Sequence, residues 1–174
     1  MNRALQIIVV IALSLWLGGL VALFLFVSAL FRNDRTVALS AAPILFKVFS
    51  NYQIIVGLIA INALIFWRAR VRSKSIGAIA ILVIASLATA GFVAIKVIPE
   101  MEVIRLSGQS GTSPRFKMLH GVSMILYVVQ MIALLLAAML LPAAVRSDEA
   151  ARIAPEDPAE RGFPVAAVDR ASTK

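Results

Sequence analysis

The chain has 174 residues, of which 61% are hydrophobic and only 15% are charged, and it contains no cysteine. Soluble domains usually hold about 45–50% apolar and about 25% charged residues, so this composition argues against a water-soluble fold and favours a chain surrounded by lipid. The lack of cysteine excludes disulfides and thiol catalysis. The net charge of +8 comes from cations that bracket the apolar stretches, which argues against a nucleic-acid partner.

The first apolar stretch, residues 4–31, has no charged residue. A helix that rises about 1.5 Å per residue needs about 20 apolar residues to cross a ~30 Å hydrocarbon core, so this stretch predicts a membrane span. A cleaved signal peptide is the alternative, because Arg3 precedes the run and Val27-Ser28-Ala29 resembles a cleavage site. The apolar region is far longer than the ~7–15 residues usual in signal peptides, which favours a retained helix.

Three further apolar stretches predict spans over residues 44–67, 76–98 and 117–142. Pro43 suits the first turn of the second span, where its missing N–H needs no partner, and Pro99 is expected to end the third. We therefore expect an all-α integral membrane four-helix bundle over residues 1–145. Residues 146–174 are charged and rich in proline and alanine, which predicts a disordered, flexible cytoplasmic tail. A short helix over residues 147–153, capped by Ser147, is the alternative for the start of that tail.

Small residues recur at a spacing of four on single helix faces. Lipid gives helices no hydrophobic reason to associate, so close backbone approach over small side chains predicts where the helices pack. The packing positions expected from this pattern are Gly18, Gly19, Ser86 and Ala90. The alternative is that alanine and glycine are simply frequent in this chain.

The segment 68–74 holds four cations and no acid. Short loops rich in lysine and arginine stay in the cytoplasm, so we expect an inner-membrane protein with both termini cytoplasmic. The opposite side of the membrane also carries cations, so the orientation is predicted from the dense cluster of cations in the short segment 68–74.

Polar residues near the membrane gather at the end of the bundle opposite that loop. We call them the outer-face cluster, and its members are Lys47, Asn51, Gln53, Lys96, Glu100, Arg105, His120 and Ser123. Ionisable groups inside a membrane are costly and usually mark a site. Residues at helix ends can instead reach water by snorkelling, so interfacial anchoring with a few salt bridges is the alternative.

The single histidine, His120, shares a helical stripe with Met124, Tyr127 and Met131, at spacings of four, three and four. Imidazole and thioether groups together suit a soft ion such as Cu(I), and packing of the methionines in the core is the alternative. No acid lies inside a span, and no nucleophile–histidine–carboxylate set or phosphate-binding glycine loop is present. We therefore expect no enzyme, and no cofactor or confident metal site.

Several of these pieces together resemble the transmembrane-protein-205-like domain, a small four-span bacterial membrane domain of unknown function. The matching pieces lie within residues 5–140: Trp16-Leu17-Gly18-Gly19, Ala29-Leu30-Phe31, Phe46, Tyr52, Pro99, Arg105 and Phe116-Lys117-Met118-Leu119-His120-Gly121-Val122-Ser123. Tyr127 stands where family members often carry an asparagine. The resemblance implies a four-span fold and a membrane location, and the family's association with platinum-drug resistance hints at export or metal handling.

The sequence thus predicts a non-enzymatic membrane component, structural or partner-binding. Its expected partners are the lipid bilayer and a second copy or another membrane protein. A small transporter or resistance factor for a metal or cationic compound is the alternative function.

Overall fold

The computed structural model describes residues 2–108 and 113–153, and every regular element in these residues is helical. Helix α1 covers Asn2–Asn33 and α2 covers Arg35–Arg70. Helix α3, Lys74–Phe92, passes through a π-helical turn at Val93–Val97 into α4, Ile98–Leu106. Helix α5 covers Pro114–Ile153. Four rods, with α3 and α4 counted as one, are long and apolar enough to cross a membrane, so the predicted all-α four-helix bundle is confirmed.

Each rod packs against two neighbours in an up-down-up-down ring: α1 against α2, α2 against α3, α3 against α5, and α5 against α1. The order follows from the short connections, which force consecutive rods to be antiparallel neighbours. We call the end that carries both ends of the described chain and residues 71–73 the basic end. The interior is filled by large side chains that are at most 2% exposed, among them Leu13, Trp16, Leu64, Trp67, Ile79 and Leu134.

Helix α2 begins at Arg35, earlier than the predicted start of the second span at residue 44. Asp34 is its N-cap and accepts hydrogen bonds from the backbone N–H groups of Thr36 and Val37, at 2.8 and 3.1 Å. A side-chain oxygen at this position satisfies N–H groups that the first helical turn leaves free. Pro43 therefore lies inside the helix and not in its first turn. The search for an uncharged run missed this start because Arg35 and Lys47 interrupt the run while the helix continues.

Pro99 does not end the third rod, contrary to the prediction, because helix α4 continues to Leu106. The π-helical turn directly before it has wider backbone hydrogen bonding, which gives room for a ring that lacks an N–H. Pro99 then occupies the first turn of α4, where a proline is well tolerated. The predicted span 76–98 thus underestimates this rod at both of its ends.

Helix α5 continues through the predicted start of the tail at residue 146 and reaches Ile153. Ser147 does not cap a separate helix, because its hydroxyl donates to the carbonyl of Ala143 at 2.9 Å within α5. Asp148 is fully buried and accepts a hydrogen bond from Nε2 of Gln6 in α1, at 2.5 Å. The remainder of the predicted tail, residues 154–174, lies outside the described residues, as do residues 109–112.

Two glycines allow α1 and α2 to approach each other closely. A Cβ added at Gly57 would lie 2.7 Å from Cη2 of Trp16, and one at Gly19 would lie 3.0 Å from Cε2 of Phe49. Ser86 and Ala90 are buried, as the packing pattern predicts. Gly18 differs from that prediction, because it faces outward and nothing lies within 4 Å of its added Cβ. The buried face of α1 follows Val9, Leu13, Trp16 and Leu20, so the large residues and not the small ones mark it.

Candidate functional site

The structure divides the predicted outer-face cluster between the surface and the interior of the bundle. Its members Lys47, Asn51, Lys96, Arg105 and His120 are exposed, and Glu100 is half-buried. Gln53 and Ser123 are instead buried inside the bundle. The Ser123 hydroxyl donates to the carbonyl of His120 in its own helix, at 2.8 Å, and so makes no link between helices.

Two charged members of the cluster, Glu100 and Arg105, form ordinary surface ion pairs with residues outside it. Arg115 Nε of α5 lies 2.5 Å from Glu100 Oε1 of α4, and Arg105 Nη2 lies 2.6 Å from Glu102 Oε1 one turn earlier in α4. All four side chains are about half exposed, and exposed pairs of this kind contribute little to stability. Their arrangement corresponds to the anchoring alternative, with one pair that joins the start of α5 to α4.

The predicted His/Met stripe is displaced by one residue from the face of α5 that points inward. The buried positions are Leu119, Ser123, Tyr127 and Gln130. His120 and Met131 are exposed, and only Tyr127 belongs to both sets. Within the described residues, no group of three or more His, Asp or Glu side chains could hold a metal ion.

A set of hydrogen bonds connects all four rods inside the bundle, and we call it the interior amide cluster: Trp16, Gln53, Ser86 and Gln130. Gln130 Nε2 of α5 donates to Gln53 Oε1 of α2 at 3.1 Å and to the Ser86 carbonyl of α3 at 3.2 Å. Trp16 Nε1 of α1 donates a longer bond, 3.4 Å, to the same Gln53 oxygen. These side chains are at most 2% exposed, so two amides are removed from solvent between four apolar helices.

The interior amide cluster lies near the middle of the apolar stretches. Trp16, Ser86 and Gln130 are each within about two residues of the midpoint of the uncharged run that contains them, or about 3 Å along a helix axis. Polar groups at that depth have no competing water, so their hydrogen bonds fix which helices are neighbours. Among the interior hydrogen bonds of the described residues, those of the cluster connect all four rods, whereas the buried pair of Gln6 and Asp148 connects only α1 and α5.

Five buried polar atoms of the bundle find no partner among the described residues: four lie in or near the cluster, and Trp67 Nε1 lies about four turns further along α2, towards the basic end. These atoms are Gln53 Nε2, the hydroxyl oxygens of Ser50, Ser86 and Tyr127, and Trp67 Nε1. A buried polar group without a hydrogen bond costs about 1–3 kcal/mol by protein mutational data. A small hydrogen-bonding molecule, such as a water, would recover this energy if it reached Gln53 and Ser86.

Aromatic rings border the cluster on the side away from the basic end. Tyr127 of α5 lies between Phe46 and Phe49 of α2, with ring centroids 5.9 and 6.5 Å apart. Tyr52 packs on Phe49 at 5.8 Å and donates its hydroxyl to the Leu15 carbonyl of α1 at 2.9 Å. The Tyr127 hydroxyl is therefore the one in this aromatic group that makes no hydrogen bond in the described structure.

Sequence reasoning missed Gln130, which donates two of the three hydrogen bonds in the cluster. The signal was present, because Gln130 is the one amide side chain in the uncharged stretch 118–145. It also lies three residues beyond Tyr127 and four before Leu134, which is helical spacing on one face. Trp16 entered the prediction through the resemblance alone, without a role in hydrogen bonding.

No protein-family model, curated protein or solved structure matches this chain. The resemblance to the transmembrane-protein-205-like domain therefore stays a prediction that depends on the residues quoted for it.

Proposed function

We propose that the chain is a multi-pass inner-membrane protein, with both termini in the cytoplasm, that acts as a non-enzymatic structural or partner-binding component. The supporting observation is that large apolar side chains cover the outside of the bundle while two amide side chains are buried inside it. Ile95 is 70% exposed and Ile81 is 69% exposed, while Gln53 is 0% and Gln130 is 2% exposed. A surface of large apolar side chains is unfavourable in water and favourable in hydrocarbon, where polar groups must find partners inside the fold.

The orientation is supported by the four cations of segment 68–74 at the basic end. It is tested by cysteine labelling, since the chain has no background thiol. Ser73→Cys at the basic end should react with an impermeant maleimide only after the cells are permeabilised. Ser107→Cys, at the opposite end, is the matched control and should react in intact cells. The reverse pattern would refute the orientation.

Partner binding is supported by glycines on the outside of the bundle. An added Cβ would find nothing within 4 Å at Gly18 of α1 or at Gly121 of α5, and both residues are exposed. Small outward positions allow another transmembrane helix to approach closely. In mild detergent we expect the purified protein to elute as a complex, with light scattering giving its mass. A monomer without any co-purifying chain would contradict the proposal.

A small transporter or resistance factor for a cationic compound is the second candidate, and the interior aromatic rings favour it. Phe46, Phe49 and Tyr127 lie beside unpartnered hydroxyl and amide groups, and cations bind favourably over aromatic faces. Accumulation of a quaternary ammonium dye should then differ between cells with and without the protein, and Tyr127→Phe should change it. The metal version of this candidate predicts the same for metal accumulation with His120→Ala. If none of these comparisons shows a difference in accumulation, this candidate function is refuted.

A further inference from the structure

At the basic end, a surface depression is formed where α2 turns into α3. Its lining consists of Ile65, Arg68, Ala69, Arg72, Ser73 and Lys74. Three of these residues, Ile65, Arg68 and Ala69, lie on one face of α2, and Arg72, Ser73 and Lys74 follow after the helix has ended at Arg70. The lining therefore begins with apolar Ile65 and ends with the cations Arg72 and Lys74, with Arg68 and Ala69 between them.

Arg68 is an exposed residue of α2 whose guanidinium reaches α3. Its guanidinium lies against Gly77, one turn into α3, so closely that a Cβ added at Gly77 would collide with Arg68 Nη1. Gly77 is buried, and so the absence of its side chain creates the space that the guanidinium occupies. A glycine at position 77 thus allows the guanidinium of Arg68 to lie against the backbone of α3.

We propose that this depression, which we call the α2–α3 basic groove, binds the phosphate of one anionic phospholipid. Arg68, Arg72 and Lys74 supply the positive charge, and no ion pair within the described residues neutralises any of the three. Ile65, which is 57% exposed, lies on the membrane side of the three cations, and Ala69 adds a second apolar side chain between Arg68 and Arg72. A phosphodiester joined to acyl chains matches this order of apolar and cationic groups, because its charge lies at the surface while its chains enter the hydrocarbon.

The inference depends on the proposed membrane location, and the experiment separates the two. The full-length chain is first extracted from membranes, and recovery in the soluble fraction without detergent would refute the membrane location itself. The protein purified in detergent is then titrated with phosphatidylglycerol, phosphatidylcholine or inorganic phosphate, and bound lipid is counted by native mass spectrometry. We expect one phosphatidylglycerol to be retained selectively and phosphatidylcholine not to be retained.

Two triple variants test the location of the site. Arg68→Gln/Arg72→Gln/Lys74→Gln removes the three cations of the groove, while Arg32→Gln/Arg35→Gln/Lys117→Gln removes three exposed cations at the opposite end. Each cation near a lipid surface raises affinity about fivefold, so the groove variant should bind phosphatidylglycerol roughly 100-fold more weakly. The control should bind it as the unaltered protein does. An equal loss in both variants would show attraction by charge alone and overturn the proposal.

Gly77→Ala tests the positioning of Arg68 without a change in charge. The added methyl group should displace the guanidinium and weaken phosphatidylglycerol retention, while Gly91→Ala, where nothing lies within 4 Å of the added Cβ, should not. Circular dichroism confirms that both variants keep their helices. Unchanged retention in a folded Gly77→Ala protein would refute the role of Arg68. Displacement of the lipid by millimolar inorganic phosphate would show a simple anion site and would also refute a lipid site.

Discussion

Replacement of the two buried glutamines by methionine tests whether the interior amide cluster stabilises the bundle. Gln130 donates two hydrogen bonds, to Gln53 Oε1 and to the Ser86 carbonyl. Hydrogen bonds between side chains of membrane helices are worth about 0.6 kcal/mol on average and about 1.7 kcal/mol at most. Gln130→Met keeps a similar shape and should therefore lower the free energy of unfolding by about 1–2 kcal/mol.

Gln53→Met should be less harmful, by the same reasoning. It loses the bond from Gln130 and the long bond from Trp16, but it also removes Nε2, which has no partner within the described residues. We expect a loss of about 0.5–1 kcal/mol. The double variant should lose less than the sum of the single variants, by about 1 kcal/mol, because the shared Gln53–Gln130 bond can be lost only once.

The four proteins can be compared by unfolding in mixed micelles with increasing SDS, with tryptophan fluorescence as the signal. Asn62→Leu is the matched control, because Asn62 is an exposed amide on α2 that donates only to the Leu58 carbonyl of its own helix, at 2.7 Å. It should change the free energy of unfolding by less than about 0.5 kcal/mol. Single effects that add within about 0.3–0.5 kcal/mol would refute the coupling.

Three further predictions use the same unfolding assay. Gly57→Ala should destabilise the bundle by about 1–3 kcal/mol, because the added Cβ would lie 2.7 Å from the Trp16 ring. The control Gly18→Ala should be close to neutral, and equal effects of the two substitutions would contradict the described contact between α1 and α2. Tyr52→Phe should lower the free energy of unfolding by about 1 kcal/mol, because it removes the hydrogen bond to the Leu15 carbonyl. Tyr127→Phe should be neutral or stabilising, and a clear loss of stability in this variant would mean that the Tyr127 hydroxyl has a hydrogen-bond partner. Removal of residues 154–174 should leave the unfolding curve unchanged. Removal from residue 147 onward should lower stability, because it takes away Asp148 and its hydrogen bond with Gln6. Equal curves for the two truncated proteins would show that this contact is not stabilising.

The number and type of the elements could be predicted from the sequence, because four long uncharged stretches have one stable form in hydrocarbon. The helix ends could not, because an apolar run shows where lipid contact stops and not where backbone hydrogen bonding stops. Asp34-Arg35-Thr36 carried a readable N-cap signal, but the loss of apolar character at Arg35 and Lys47 masked it. Asp148 was assigned to the tail because it lies beyond the last apolar run. The hydrogen bond that it accepts from Gln6 of α1 offsets the cost of burying it.

The inward faces were harder to predict than the elements. In a membrane bundle both the lipid-facing and the interior sides are apolar, so hydrophobic periodicity does not separate them. Single polar residues do, as Gln53 and Gln130 show, but a pair becomes visible only when two helices are placed next to each other. Gln53 and Ser123 were grouped with the outer-face cluster although both are buried, because nearness to a helix end does not fix the direction in which a side chain points; Lys47 and Gln53, on the same helix, face the surface and the interior respectively.

The π-helical turn at Val93–Val97 changes the direction in which the side chains of α4 point around the helix axis. Such a turn holds about one residue more than the same length of α-helix, so the chain beyond it is rotated by about 100° about the axis. Deletion of one residue from this turn would restore a regular helix and swing Glu100 away from Arg115, whose pairing joins α4 to α5. The one extra residue in the π-helical turn therefore determines which way the nine residues of α4 face around the axis of the third rod.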